Sequence, residues 1–536
     1  MPPEESINPL TLGTSHSLLP RPCVLVIFGA AGDLAWRKLM PAVYNLNVDG
    51  LLPAHFAVVG FGIGSEGDPE EWFRRRARDG IAAFSRQPLD EGHWADLARS
   101  LSYIEGRFDD VEAYALLKAK LDEIDQKFGI PGARIFYLSI PPTMVEVSVD
   151  RLKSAGMVQP AEETTAFTRV IVEKPIGRDL ESAKEVNAAV AHAFEEEQTY
   201  RIDHYLGKET VQNLMVLRFA NSIFEPLWNQ KYIDHVQITV AEEEGLSHYD
   251  HQTGELKASR IGYFEGIGNL RDMVQNHLLQ VLCMTAMEPP WSLAPNVVRD
   301  AKSVALRCLR PMTDADVESS VVRGQYIRGE IGGREVPDYA REVTDFYQKR
   351  NQPIPNPITT ETFVAMRVYI DNWRWAGVPF YLRTGKRMPK RSSEVAIQFR
   401  DVPNILFNQH PDVPIEPTIL SMRIQPEEGV SLRISSKLPG PKFRIYPVKM
   451  DFNYGTSFGG STPEAYERLI LDVMAGDATL FMRRDAVEAA WEFVMPILDH
   501  WERSHIRFIP QYRAGTWGPP EADRLIEADG REWRTL

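Results

Sequence analysis

Arg201 to Glu209 (RIDHYLGKE) gathers an acid, an imidazole, a phenol and an ammonium within nine residues. Read as the start of a helix, it puts His204 and Lys208 at i and i+4, on one face. Tyr205 stands beside them. With the N–H groups that open a helix, such a face suits a phosphate dianion. The competing reading is a solvated polar turn.

Three further stretches carry candidate chemistry. Asp272 to Gln280 (DMVQNHLLQ) has helical spacing, with Asp272 and Asn276 on one face and His277 beside the next turn. A single helical histidine is more often a surface or satisfied core residue. Glu173 to Asp179 (EKPIGRD) places Lys174 just past an apolar run, where a surface lysine is the ordinary expectation. Gly29 to Leu34 (GAAGDL) is a glycine turn of the kind that lets backbone approach a pyrophosphate, although G-x-x-G alone is a weak signal. Lys386 and Arg391 lie in a basic cluster, and such clusters are usually solvated faces. His248-Tyr249-Asp250-His251 invites a metal reading, but its spacing fits no standard site and no metal is assigned.

The elements around these residues suggest how they are held. Cys23 to Phe28 (CVLVIF) is apolar throughout, as in a parallel strand buried on both faces. Strands are predicted again near 57–61, 134–140 and 168–173, alternating with helices near 34–48, 70–84 and 111–128. This rhythm argues for a doubly wound parallel sheet, whose ligands sit at the carboxyl ends of the strands. Gly29, Pro141 and Lys174 all follow such ends. Beyond Lys208, strands come in succession with few crossover helices, as in a mainly antiparallel sheet. The Pro- and Gly-rich stretch 332–357 reads as a long surface loop.

Bulk properties exclude several classes. A chain of 536 residues needs more than one core. Its formal charge of −14 argues against a nucleic-acid partner. Three widely spaced cysteines give no disulfide framework and point to a reducing compartment. No run approaches the roughly 20 apolar residues of a membrane span, and the N-terminus lacks the pattern of a secretory signal. Cytoplasmic location and no membrane partner are expected.

The motifs together resemble those of glucose-6-phosphate dehydrogenases. RIDHYLGKE matches that family's signature residue for residue. GAAGDLAWRKLMPAVYNL is similar to GASGDLAKRKLIPALYNL, EKPIGRD to EKPFGRD, and DMVQNHLLQ to D-x-x-Q-N-H-L-L-Q. The resemblance runs from about Cys23 to Leu525. It implies an α/β Rossmann-like dinucleotide-binding domain over 21–203; residues 1–20, rich in Pro, Ser and Thr, read as a mobile arm. A β+α substrate-binding and oligomerisation domain with a large, mainly antiparallel sheet is then expected over 204–536.

The reaction implied is oxidation of β-D-glucose 6-phosphate to 6-phosphoglucono-δ-lactone with NADP or NAD, the first step of the oxidative pentose phosphate pathway. The resemblance makes His277 the general base and Asp203 its carboxylate partner, two residues the fold must bring together. It assigns substrate contacts to Lys174, His204, Tyr205, Lys208, Glu242, Asp272, Lys386, Arg391 and Gln425. It assigns cofactor contacts to Gly29, Ala30, Ala31, Gly32, Asp33, Leu34, Ile63, Pro141 and Lys174. Homodimers or homotetramers built through the large sheet are implied.

Two departures bear on the cofactor. The family commonly has Ser or Thr at Ala31 and Arg at Ile63, both facing the 2′-phosphate of NADP. Neither residue here offers a charge or a side-chain donor, so use of NAD is expected. Arg37 or the run Arg74-Arg75-Arg76 are candidate substitutes, and Glu66 and Asp68 candidate acids for the ribose. The rival readings are a sugar dehydrogenase of broader specificity and a catalytically inactive sugar-phosphate sensor or assembly paralogue.

Overall fold

The computed structural model describes residues 20–161, 166–249, 256–257, 260–403, 405, 415–441, 444–458, 463–504 and 508–536. Residues 1–19, most of the expected arm, lie outside them, as do Asp250 and His251. Among the described residues, no helix is long and apolar enough to cross a membrane. The chain divides into two compact units: Met1–Lys208, Pro290–Ala301 and Gly459–Glu488 form the first, and Glu209–Pro289, Lys302–Phe458 and Ala489–Leu536 the second.

The first unit is built on six strands, β1 (Cys23–Phe28), β2 (Phe56–Gly62), β3 (Leu101–Glu105), β4 (Arg134–Leu138), β5 (Thr168–Val172) and β6 (Thr199–Arg201). They lie in the order β3-β2-β1-β4-β5-β6, all parallel. This is the Rossmann order, whose strand ends carry the ligand turns. β1 and β2 are buried along their whole length, as their uninterrupted apolar runs demand. Phe28 packs on Phe61 at 4.9 Å between ring centres, and Tyr114 closes over Phe61 at 5.2 Å. The helix Ala465–Ala475 joins this unit through charge. Arg169 donates to the last carbonyls, Val473 O at 2.7 Å and Met474 O at 2.9 Å, where the helix dipole is negative.

The second unit holds a nine-stranded sheet. Its strands are β7 (Ile233–Ala241), β10 (Val321–Ile327), β13 (Phe363–Val368), β14 (Phe380–Gly385), β15 (Ser392–Phe399), β16 (Ile419–Gln425), β17 (Gly429–Lys437), β18 (Ile445–Asn453) and β19 (Gln511–Arg513). The order is β18-β17-β16-β15-β7-β14-β13-β10-β19. Only β7 with β14 and β10 with β19 are parallel, so the sheet is mixed and mainly antiparallel, as expected. Short hairpins pair β8 (His248–Tyr249) with β9 (Leu256–Lys257) and β11 (Gly329–Ile331) with β12 (Arg334–Val336).

The stretch 332–357 is not a plain loop. Gly332 and Gly333 both adopt positive φ, 57° and 77°, and close the β11/β12 hairpin. A helix then runs over Tyr339–Lys349, capped by Asp338, which accepts the N–H of Arg341 at 2.8 Å. Its buried Tyr339, Val343 and Phe346 recur at i, i+4 and i+7. The flanking glycines and prolines mark the ends of these elements rather than their absence.

Candidate active site

In the first unit, Gly29 opens the dinucleotide turn with φ +76°. A Cβ there would stand 2.2 Å from the carbonyl oxygen of Ser139, so only glycine fits. Its N–H donates to Phe61 O at 2.9 Å, and Gly32 N–H donates back to Gly29 O at 2.8 Å. Gly32 and Asp33 are exposed and Ala31 and Leu34 half-buried, while Ala30 is buried under the turn. The helix begins with a wide π-type turn over Ala35–Leu39, in which Met40 N–H reaches Ala35 O. Trp36 Nε1 donates to Ala31 O at 3.2 Å and locks the turn to the helix. This cradle suits a pyrophosphate. Pro141 is exposed beyond β4.

The side chains that flank this turn are mostly committed elsewhere. Ile63 is 60% exposed just past β2. Arg74 donates to Ala98 O, Leu101 O and Glu70. Arg37 pairs with Asp33 at 3.6 Å, and Arg76 lies over the Trp36 ring at 5.5 Å.

The 201–208 stretch differs from the helical reading. The helix starts only at Glu209, and 204–208 forms successive turns. Asp203 Oδ1 accepts Tyr205 N–H at 2.9 Å, Asp203 O accepts Leu206 N–H at 3.0 Å, and Tyr205 O accepts Lys208 N–H at 3.1 Å. The aspartate satisfies the backbone locally and holds off the helix, so the i, i+4 face does not form. Asp203 is fully buried. His204 stacks on Tyr466, 6.2 Å between centres at 17°, and leans on Tyr205 at 5.2 Å. Gly207 lets this turn approach Ala465, whose carbonyl oxygen would lie 2.9 Å from an added Cβ.

Lys174 is half-buried after β5. Its neighbour Glu173 accepts the Tyr137 hydroxyl at 2.5 Å and also bonds Tyr466; burial raises its carboxyl above the ordinary range. Tyr466 therefore touches both His204 and Glu173. The sequence reading missed it, since its place in EAYERL carries no sign of partners far along the chain.

In the second unit, His277 sits 1% exposed on the helical stretch Leu270–Ala286. Its first part, Leu270–Leu278, is wound in π turns, with Leu279 N–H reaching Val274 O. The wider turn alters the side-chain spacing from the α-helical one expected for Asp272 and Asn276. Both ends are tied down. Glu361 accepts Leu270 N–H at 3.0 Å. At the far end, buried Arg218 donates to Met284 O, Thr285 O and Met287 O, and the indoles of Trp228 and Trp375 donate to Thr285 O and Ala286 O at 2.8 Å each. A cation at the carbonyl end complements the helix dipole.

Lys386 is buried one residue past β14. Its Nζ donates to Glu242 Oε2 at 2.6 Å and Asp272 Oδ2 at 3.2 Å, and lies 5.0 Å from the Phe264 ring centre. Burial opposes the charge, but Glu242 and then Asp272 outweigh it and raise the ammonium pKa. Arg391 Nη2 donates to Gln425 Oε1 at 2.9 Å, and Gln425 Nε2 to Ser393 Oγ at 2.8 Å. The structure thus brings Glu242, Asp272 and Lys386 into one cluster and Arg391 and Gln425 into another.

Family models for the glucose-6-phosphate dehydrogenase NAD binding domain and C-terminal domain match residues 26–213 and 215–534. The chain is 43% identical over 518 residues to glucose-6-phosphate 1-dehydrogenase of Chlamydia pneumoniae, covering 96% of each chain. It is 43% identical over 523 residues to glucose-6-phosphate 1-dehydrogenase 2 of Mycobacterium bovis, again covering 96% of each. A solved glucose-6-phosphate dehydrogenase in complex with its substrate glucose 6-phosphate superposes with a TM-score of 0.83 at 32% identity, over 96% of this chain and 99% of that one. The Mycobacterium avium enzyme superposes with a TM-score of 0.75 at 34% identity, over the same shares.

Proposed function

The chain belongs to the glucose-6-phosphate dehydrogenase family, and on that premise we propose that it oxidises β-D-glucose 6-phosphate to 6-phosphoglucono-δ-lactone. The observation that carries the reading is that family models cover residues 26–213 and 215–534, with the proposed base on a helical stretch tied at both ends. When bound, NAD or NADP supplies a nicotinamide ring that accepts the hydride from C1. His277 takes the O1 proton as that hydride leaves, with Asp203 as the carboxylate that steadies the imidazolium. Lys174 hydrogen-bonds a sugar oxygen and aligns C1. His204, Tyr205 and Lys208 bind the phosphate. Glu242, Asp272 and Lys386 hold sugar hydroxyls as one ion cluster, and Arg391 and Gln425 support the phosphate side. We assign no metal a role.

Reduced nicotinamide formed from glucose 6-phosphate, followed by absorbance, tests the reaction; a folded protein giving none points to an inactive sensor. Lys208→Ala is expected to raise KM for glucose 6-phosphate with kcat nearly unchanged. A charge-assisted contact made alike in ground and transition states contributes uniform binding, about 1.5–3 kcal/mol, or roughly one to two decades. The wild type is expected to favour glucose 6-phosphate strongly over glucose. Comparable kcat/KM for the two sugars would favour the broad-specificity reading.

We infer that NAD is used well, alone or alongside NADP, because Ala31 and Ile63 offer no donor or charge to a 2′-phosphate. We also infer a homo-oligomer formed through the end of the large sheet. On the edge strand β18, alternate residues Tyr446, Val448, Met450 and Phe452 are all exposed. An edge strand with an apolar stripe is normally covered. Met450→Asp is expected to shift the molar mass in light scattering toward the monomer; an unchanged mass places the interface elsewhere.

A further inference from the structure

A Rossmann sheet commonly takes the adenosine ribose hydroxyls with an acid just past β2. Here β2 ends in Gly60-Phe61-Gly62, followed by Ile63. Of the two acids next in the chain, Asp68 caps the helix Pro69–Phe84 by accepting Glu71 N–H at 2.8 Å. Glu66 is exposed.

The neighbouring strand brings another acid to this place. β3 ends in Glu105, which pairs in register with Gly62. Its carboxylate accepts the hydroxyl of Ser65, from the loop that follows β2. Two residues earlier on the same face, Tyr103 packs beneath Gly60. Its hydroxyl lies 3.5 Å from the point where a Cβ on Gly62 would stand, a point itself 3.8 Å from Ala30 N and 3.9 Å from Gly29 Cα. Tyr103 is 3% exposed, and its hydroxyl has no hydrogen-bond partner among the described residues. A buried orphan donor beside a ligand turn calls for a ligand atom. Burial and the Glu105 charge raise this phenol to about 12, so it keeps its proton.

We propose that Glu105 and Tyr103 form the adenosine-ribose subsite: the Tyr103 hydroxyl donates to the ribose, and the Glu105 carboxylate accepts a ribose hydroxyl and repels a 2′-phosphate. The proposal deepens the inferred use of NAD and rests on it. It also makes the preference an active exclusion, where Ala31 and Ile63 alone remove only an attraction.

Binding of ADP-ribose and 2′-phospho-ADP-ribose, measured by calorimetry, tests this without turnover. Wild type is expected to bind ADP-ribose more tightly. In Glu105→Gln, the affinity ratio of the two ligands should move toward the 2′-phosphorylated one by about tenfold, the scale of one charge acting at short range. Tyr103→Phe should weaken ADP-ribose severalfold while Tm holds or rises, because a merely structural hydroxyl would not be missed by the ligand. An unchanged ratio in folded Glu105→Gln, or unchanged ADP-ribose affinity in Tyr103→Phe, overturns the subsite. A wild type that itself prefers the 2′-phosphorylated ligand overturns the NAD reading instead, and turns attention to Arg76 on its indole shelf.

Discussion

Replacing His277 with Asn is expected to lower kcat by about 10²–10⁴-fold while glucose 6-phosphate still binds. The imidazole is 1% exposed on a stretch tied at both ends. Asn is close in size and polarity, so the anchored helix should tolerate it. The loss should fall on kcat, because the proton moves only in the transition state. A folded variant with near-normal kcat would remove His277 from the mechanism. Asp203→Asn sharpens the test. The amide oxygen can still accept Tyr205 N–H, which Asp203 Oδ1 now does at 2.9 Å, so the turn should survive while the charge is lost. A fall in kcat of on the order of 10–10³-fold would then report the charge rather than the geometry.

Local pattern and long-range packing contributed unequally to what could be read in the chain. The parallel sheet was legible because CVLVIF and FAVVGFG are apolar without interruption, and only strands buried on both faces need that. The candidate residues of RIDHYLGKE, EKPIGRD and DMVQNHLLQ stood out because each motif is contiguous, whereas Glu242, Lys386, Arg391 and Gln425 lie outside them. The shape of the 201–208 stretch was not legible: side-chain spacing cannot tell that Asp203 will bond the Tyr205 N–H and favour turns over a helix. Nor does DMVQNHLLQ disclose its π turns. The helix over Tyr339–Lys349 was hidden by the glycines and prolines that bound it. Contacts between residues far apart in sequence were not legible from local pattern. Glu105 reaches Ser65 only because β3 lies beside β2, and Tyr466 meets Glu173 only in the folded first unit.

Lys386→Met is expected to lower the stability of the enzyme and, separately, its affinity for the sugar. The wild-type ammonium sits 2.6 Å from Glu242 and 3.2 Å from Asp272, with only 4% of its side chain exposed. The two carboxylates hold its pKa above the usual lysine value. A raised lysine pKa stabilises below the unfolded pKa and is lost only as pH climbs through the folded one, so the contribution is complete at neutral pH. Methionine fills the volume but leaves two carboxylates facing each other. Removing one member of a buried ion cluster costs about 3–5 kcal/mol; the Glu242 side chain keeps about a third of its surface in water, which puts the expected loss near the lower end. Thermal unfolding at neutral pH should show it as a fall of several degrees in Tm. The double variant Lys386→Met, Glu242→Gln should recover part of the stability, since one charge of the repelling pair is gone, yet it should not recover sugar affinity. If the double variant is no more stable than the single one, the loss comes from packing around Phe264 and not from the charges, and the cluster is then a weaker organiser of the sugar site than its distances suggest.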